Sequence, residues 1–237
     1  MNLYFDTEFT GLVPGTTLMS MGIIAETGER FYAEFGDYDQ SLVDEWIEEN
    51  VLKNMIIGGN TDLEKQLMES DEKFVGYYDQ DGHFSHGDML VYDSVNMRGI
   101  DSALVALYLK YWLKQFDRYM IKIDEDEYRQ TDLQFIGDVA HYDFTLLCNM
   151  FDGAFNLPDH VNPVCYDICQ DICARKEVVN GSLWYADTNY MRDAFDISRE
   201  KLCQRLNDGQ LPIGVKHNSL YDAAVTKMIY EGMRTNK

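Results

Sequence analysis

Three apolar runs fall within the first 35 residues, and turn-forming residues separate them. Leu3-Tyr4-Phe5, Leu18 to Ala25, and Arg30 to Phe35 with its alternating Phe31, Ala33 and Phe35 each read as strand. Thr10 to Thr17, carrying Gly11, Pro14 and Gly15, is a loop, and Thr27-Gly28 is a tight turn. Strands joined this way pair as an antiparallel meander. The first strand ends in two acids, Asp6 and Glu8. Residues i and i+2 of a strand share a face, about 6.7 Å apart along the chain. Two carboxylates about 4 Å apart repel by roughly 4 kcal/mol at an effective dielectric of 20, so a cation between them is favoured. A divalent metal would supply it. On these residues alone, a solvated strand end with two surface acids explains the pattern equally well.

The chain has 237 residues, 46% of them apolar, enough to fill the core of a single domain covering residues 1–237. Its charge is the outlier: 20 Lys+Arg against 41 Asp+Glu give a formal net of −21. Broad neutralisation of a phosphate backbone needs the opposite balance. A nucleic-acid substrate would have to be held locally, over few nucleotides and through metal. Acidity also disfavours an anionic membrane surface, and no apolar run approaches the roughly 20 residues of a membrane helix. Five cysteines form no even disulfide framework, and no secretory signal precedes the first strand. Both point to a reducing, intracellular setting, read as cytoplasmic.

After the meander, Ser41 is expected to cap a helix running to about Asn54, with Val43, Trp46, Ile47 and Val51 on its apolar face. Residues 56–98 read as an inserted, partly β region. Asp101 to about Phe116 has a wide apolar stripe of Leu104, Leu107, Tyr108, Tyr111 and Trp112. Asp124-Glu125-Asp126-Glu127 is an acidic loop. Leu133 to Val139 is a strand and Tyr142 to about Phe151 a helix. Pro163 to Tyr166 is a short strand entering a helix through Lys176, and 177–196 is a long connection. Helices at Ser198–Asn207 and Ser219–Met233 complete an α/β fold.

Two further acidic elements follow the first. His141-Tyr142-Asp143-Phe144 lies at a strand–helix junction, and Lys216-His217-Asn218-Ser219-Leu220-Tyr221-Asp222 opens the last helix. Were that whole stretch helical, His217 and Asp222 would stand about 140° apart. They converge only if the helix begins between them, and Ser219-x-x-Asp222 has capping-box spacing. Taken singly, Asp222 reads as such a cap and Asp143 as a first-turn acid favoured by the helix dipole.

Together, Asp6-Thr7-Glu8-Phe9-Thr10-Gly11-Leu12, then Asp143 after a strand, then His217-x4-Asp222-Ala223, resemble the DEDDh exonucleases of the RNase T superfamily. Most of the first 55 residues look like the RNase AS type of 3′-5′ exoribonuclease, through Tyr4 to Phe9, Met19 to Gly28, Tyr32-Ala33, Trp46 and Val51-Leu52. Residues 56–98 have no counterpart in that resemblance. It implies an RNase H-like fold, a mixed five-stranded sheet flanked by helices, with 56–98 inserted. It also implies Asp6, Glu8, Asp143 and Asp222 as ligands of two Mg²⁺ or Mn²⁺ ions and His217 as general base. Phe9, Gly11, Leu12 and Phe144 would contact substrate, with Phe9 standing where many relatives have Thr. A buried helix aromatic is the rival reading of Phe144. The implied partner is single-stranded RNA, adenylate-rich or otherwise, or short oligonucleotides, with a homodimer compatible. A DNA exonuclease, or a binding module without activity on the same fold, is the alternative.

Other patterns carry less. Cys165, Cys169 and Cys173 recur at helical spacing, but the outer two would lie about 12 Å apart, too far for one zinc; they read as small core residues. Asp79-Gln80-Asp81-Gly82 with Asp88 resembles a calcium loop with Tyr77 at the first ligand position. His83 and His86 near Asp88 read as surface histidines. Asp138 and Asp167 are the rivals of Asp143.

Overall fold

The computed structural model describes residues 1–63, 65, 77–78, 84–85, 94–118, 120–122, 128–130, 132–174, 176–179, 182–185 and 198–235. Its centre is β1 (Asn2–Phe9), flanked by β2 (Leu18–Ala25) on one side and β9 (Gln134–Gly137) on the other. β2 pairs antiparallel with β1 and with β3 (Arg30–Phe35), so the meander forms as the sequence predicts. β9 pairs parallel with β1, and β10 (Tyr166–Asp167) pairs parallel with β9. At the opposite edge β6 (Ser94–Ile100) pairs parallel with β3, giving the order β10-β9-β1-β2-β3-β6.

The sheet is thus mixed and six-stranded, against the five strands expected. The sixth strand comes from the end of the 56–98 stretch. Val95 and Met97 are buried in the core there, and the alternating run around them is a strand signal in its own right. Within the same stretch β4 (Tyr77–Tyr78) and β5 (Phe84–Ser85) form a small ladder. The calcium-like loop, His83, His86 and Asp88 lie outside the described residues, as do Asp124 to Glu127. β7 (Met120–Lys122) and β8 (Tyr128–Gln130) pair on either side of that acidic run. A further hairpin, β11 (Lys176–Val179) with β12 (Ser182–Tyr185), replaces part of the expected long connection.

Helices cover both faces of the sheet. Leu3 and Phe5 share one core cluster with Met21, Phe31, Phe135 and Trp112 of α2 (Ser102–Lys114). α3 (His141–Asn149) adds Leu147 and Cys148 to it. Tyr4 faces the other way. Its cluster holds Ile168 of α4 (Ile168–Ala174), Leu202 of α5 (Arg199–Leu206), and Val225 and Ile229 of α6 (Ser219–Thr235). Strand alternation therefore aims Tyr4, Asp6 and Glu8 toward α6. Cys148, Cys169 and Cys203 are buried thiols, as core residues would be. Cys165 precedes α4 rather than sharing its face, and the side chain of Cys173 is outside the described residues.

One glycine brings α6 down onto the sheet. Gly22 is the register partner of Asp6, and a Cβ there would lie 2.4 Å from the backbone nitrogen of Leu220. No larger residue fits. The start of α6 consequently rests on β2, with Ser219 Oγ 2.9 Å from Ser20 Oγ, and Ser20 is the register partner of Glu8.

Candidate functional site

The carboxyl ends of β1 and β9, the loop before α6 and the short helix α1 (Glu45–Asn50) enclose a cleft of about 540 Å³. Asp6, Glu8, Asp143, His217 and Asp222 all line it, although they come from three distant parts of the chain. Ligand atoms of Glu8, His217 and Asp222 lie within 4.8 Å of one another. Asp6 adjoins this group, within electrostatic reach of Asp143, Asp222 and Glu8.

Each side chain is held by a local device. Asp143 sits in the first turn of α3, where its Oδ1 accepts from the Thr7 backbone N–H (3.0 Å) and the Thr7 hydroxyl (2.6 Å). Thr7, to which no sequence pattern assigns a role, thereby ties the second acidic element to the first. Asp222 lies in the first turn of α6, as expected, but Ser219 is not the cap. Asn218 Oδ1 accepts from the N–H groups of Leu220 (3.2 Å) and Tyr221 (3.3 Å), while the Ser219 hydroxyl is engaged across the sheet by Ser20. Asp222 Oδ2 accepts the His217 N–H at 2.8 Å. His217 stands one residue outside the helix with φ +61°, a left-handed conformation uncommon for a non-glycine residue.

The electrostatics are strained in one direction. Burial first, and then the charges of Asp143, Asp222 and Glu8, hold Asp6 well above the usual carboxylate range. Burial does the same to Glu8, reinforced by Asp222 and Asp143 and opposed by Lys216. Asp143 is also raised by burial, against the pull of Thr7. Burial pushes Asp222 up to about 7 even though the His217 N–H and Lys216 favour its charged form. His217 moves the other way: burial and then Lys216 lower its pKa, so the imidazole is neutral at neutral pH. Among the described residues, no hydrogen-bond donor reaches the carboxylates of Asp6 or Glu8. Four oxygen-donor acids short of counter-charge fit a hard divalent cation better than a soft one.

The remaining expected contacts divide. Phe9 lines the cleft and stacks on Tyr142, with ring centroids 5.7 Å apart. Gly11, at φ +138°, lines it too, and Leu12 stands on its rim, 71% exposed. Phe144 does not line it: its ring packs against Phe5 and Phe135, because successive helix positions point apart and Asp143 takes the cleft side. Of the rivals to Asp143, Asp138 faces the cleft but is paired with Arg199. Asp167 accepts from the backbone of Val139 (3.0 Å), Ala140 (3.2 Å) and Cys169 (2.8 Å), which shapes the β9–α3 turn.

The predicted 41–54 helix is broken. Asp39 caps a 3-10 turn at Gln40–Leu42, and Asp44 caps α1, where its carboxylate accepts the Ile47 N–H at 2.8 Å. The break turns Trp46 out of the core and into the cleft wall, with its ring edge-on to His217 at 5.2 Å. Trp46, Lys216 and Arg199 are cleft residues that sequence reading did not assign. Lys216 is signalled only by adjoining His217, Trp46 fits an apolar helical stripe, and Arg199 belongs to no motif. No protein-family model matches the chain, and no curated protein matches it. No described helix is long and apolar enough to cross a membrane.

Proposed function

We propose that this protein is a metal-dependent 3′-5′ exonuclease that removes nucleoside 5′-monophosphates from the 3′ end of single-stranded RNA. The observation that carries this reading is the convergence of Asp6, Glu8, Asp143, His217 and Asp222 on one cleft, where four partly or fully buried acids are opposed by Lys216 at Glu8 and Asp222. The sheet order supports it. Three antiparallel strands followed by two parallel ones, in the order β10-β9-β1-β2-β3, form the arrangement that an RNase H-like fold would require, with β6 as an added edge.

Asp6, Glu8, Asp143 and Asp222 would hold two Mg²⁺ or Mn²⁺ ions. Such a pair, when bound, stabilises the attacking and leaving oxygens of an in-line phosphoryl displacement. The chain's own residues supply the rest. Thr7 fixes Asp143, so one ligand cannot turn away from the cleft. His217, neutral and beside Glu8 and Asp222, would take the proton of the attacking water at an imidazole nitrogen. Leu12 and Trp46, both exposed at the rim, offer apolar surface to a terminal base, and Phe9 adds an aromatic edge already stacked on Tyr142. Lys216 places a positive charge at the mouth of an acidic cleft, where a phosphate must enter. A grip limited to the last few nucleotides reconciles nucleic-acid chemistry with a net charge of −21.

The test is a side-by-side digestion of matched RNA and DNA oligomers, oligo(A) included, with Mg²⁺, Mn²⁺ or EDTA. The expected result is metal-dependent shortening of RNA from the 3′ end with release of 5′-monophosphates. Faster loss of DNA would assign the enzyme to the DNA class instead. Intact substrate in both metals would leave only a binding role.

A further inference from the structure

We infer that Asn54 is a positioning residue that sets the loop carrying His217, an inference that rests on the general-base role proposed for that histidine. Asn54 ends the 3-10 turn Leu52–Asn54, more than 160 positions from the loop it touches. Its Nδ2 donates to the Asn50 carbonyl (2.6 Å) and to the Lys216 carbonyl (2.9 Å). Its own carbonyl accepts from Asn218 Nδ2 at 3.1 Å. The residues on both sides of His217 are therefore clamped to one side chain and one peptide group. His217 between them holds φ +61°. A non-glycine residue keeps such a strained conformation where its surroundings over-determine it.

The clamp is itself anchored. The turn that follows Asn54 is gripped by Glu34 of β3, whose carboxylate accepts the N–H groups of Ile56 (2.6 Å) and Ile57 (2.9 Å). Tyr32 donates its hydroxyl proton to Glu34 at 2.6 Å and accepts from Asn218 Nδ2 at 3.0 Å. Strand, turn and loop thus form a closed ring of hydrogen bonds. Closed rings resist displacement because no member moves without breaking two contacts. The ring holds the backbone on either side of His217, Asp222 accepts the His217 N–H, and Trp46 bounds the imidazole itself.

Asn54→Ala removes both donations. It should lower kcat by about 10- to 100-fold, the scale of a misplacement near 1 Å, with KM and metal dependence little changed. Asn54→Asp sets a carboxylate against two carbonyl oxygens and should lower kcat further. In a His217→Ala background, Asn54→Ala should cost nothing more, since it acts through a histidine that is gone. A kcat within 2-fold of the parent, or losses that multiply in the double variant, would overturn the inference. A readout free of turnover separates it from the functional proposal. In protein with ¹⁵N-labelled histidine, Asn54→Ala should shift or broaden the His217 ring signals and leave those of His141 in place. Unchanged His217 signals would overturn the positioning role whether or not the protein cleaves any oligonucleotide.

Discussion

Two buried acidic regions lie on the same sheet and solve the same problem in opposite ways. Glu34 is fully buried, and three donors meet it: the Tyr32 hydroxyl and the N–H groups of Ile56 and Ile57. Burial raises its pKa, and each of those donors pulls it back. Asp6 is half-buried and Glu8 buried at the end of β1, and among the described residues the groups that act on them are further carboxylates, with Lys216 alone opposing them at Glu8. A buried anion is tolerated when hydrogen bonds or counter-charge replace its water. Glu34 has the hydrogen bonds. The β1 pair is left open to something the chain does not contain, which is how a binding site differs from a structural bond.

The largest consequence is at the open pair. Asp6→Ala should reduce exonuclease turnover by at least about 10³-fold, since it removes one of the four acids proposed to hold the two ions. Substantial residual activity in a steady-state assay would break the two-ion assignment. Next in size is Glu34→Ala, which should cost about 3 kcal/mol in urea unfolding by stranding the buried Tyr32 hydroxyl and two part-buried N–H groups. If it unfolds no more easily than the parent, the closed character of that site is wrong.

Asp6→Asn should act oppositely, raising metal-free stability by roughly 1–2 kcal/mol because it relieves burial and like-charge repulsion. The pH dependence has the same origin. Asp6, Glu8, Asp143 and Asp222 all have folded pKa values above their ordinary ones, Asp222 at about 7. The folded state then keeps protons that the unfolded chain releases. Stability should be fullest below the ordinary carboxylate pKa near 4 and fall as pH rises through the folded values toward 7. Saturating Mn²⁺ should flatten that fall, as should Asp6→Asn; denaturation curves across pH 4–8 read both. The smallest effect belongs to Phe144→Leu, about 1 kcal/mol of core packing with KM unchanged. A raised KM would return Phe144 to the substrate side.

How much of this was legible follows from the range of each interaction. β1, its two acids and the break between His217 and α6 are local patterns, and the chain folds as they predict. The caps were misread by short steps: Asn218 in place of Ser219, and Asp39 and Asp44 in place of Ser41. In each, a second polar residue with the same acceptor geometry lay close by, and tertiary contacts chose between them. β6 hid inside a stretch treated as an insertion, because nothing in its own residues says it will pair with β3. Trp46 fits an apolar helical stripe until the helix is cut at Asp44. Asn54 and Thr7 gave no signal at all, since what they do is defined by partners more than 130 positions away.

The most direct test of the contrast between the two acidic regions is a Mn²⁺ titration of the purified protein, followed by calorimetry and by the loss of free-ion paramagnetic signal. Two ions should bind per chain, with binding unaffected by Glu34→Gln and reduced to one ion or none by Asp6→Asn. Saturation without bound Mn²⁺, or equal loss in both variants, would contradict that contrast.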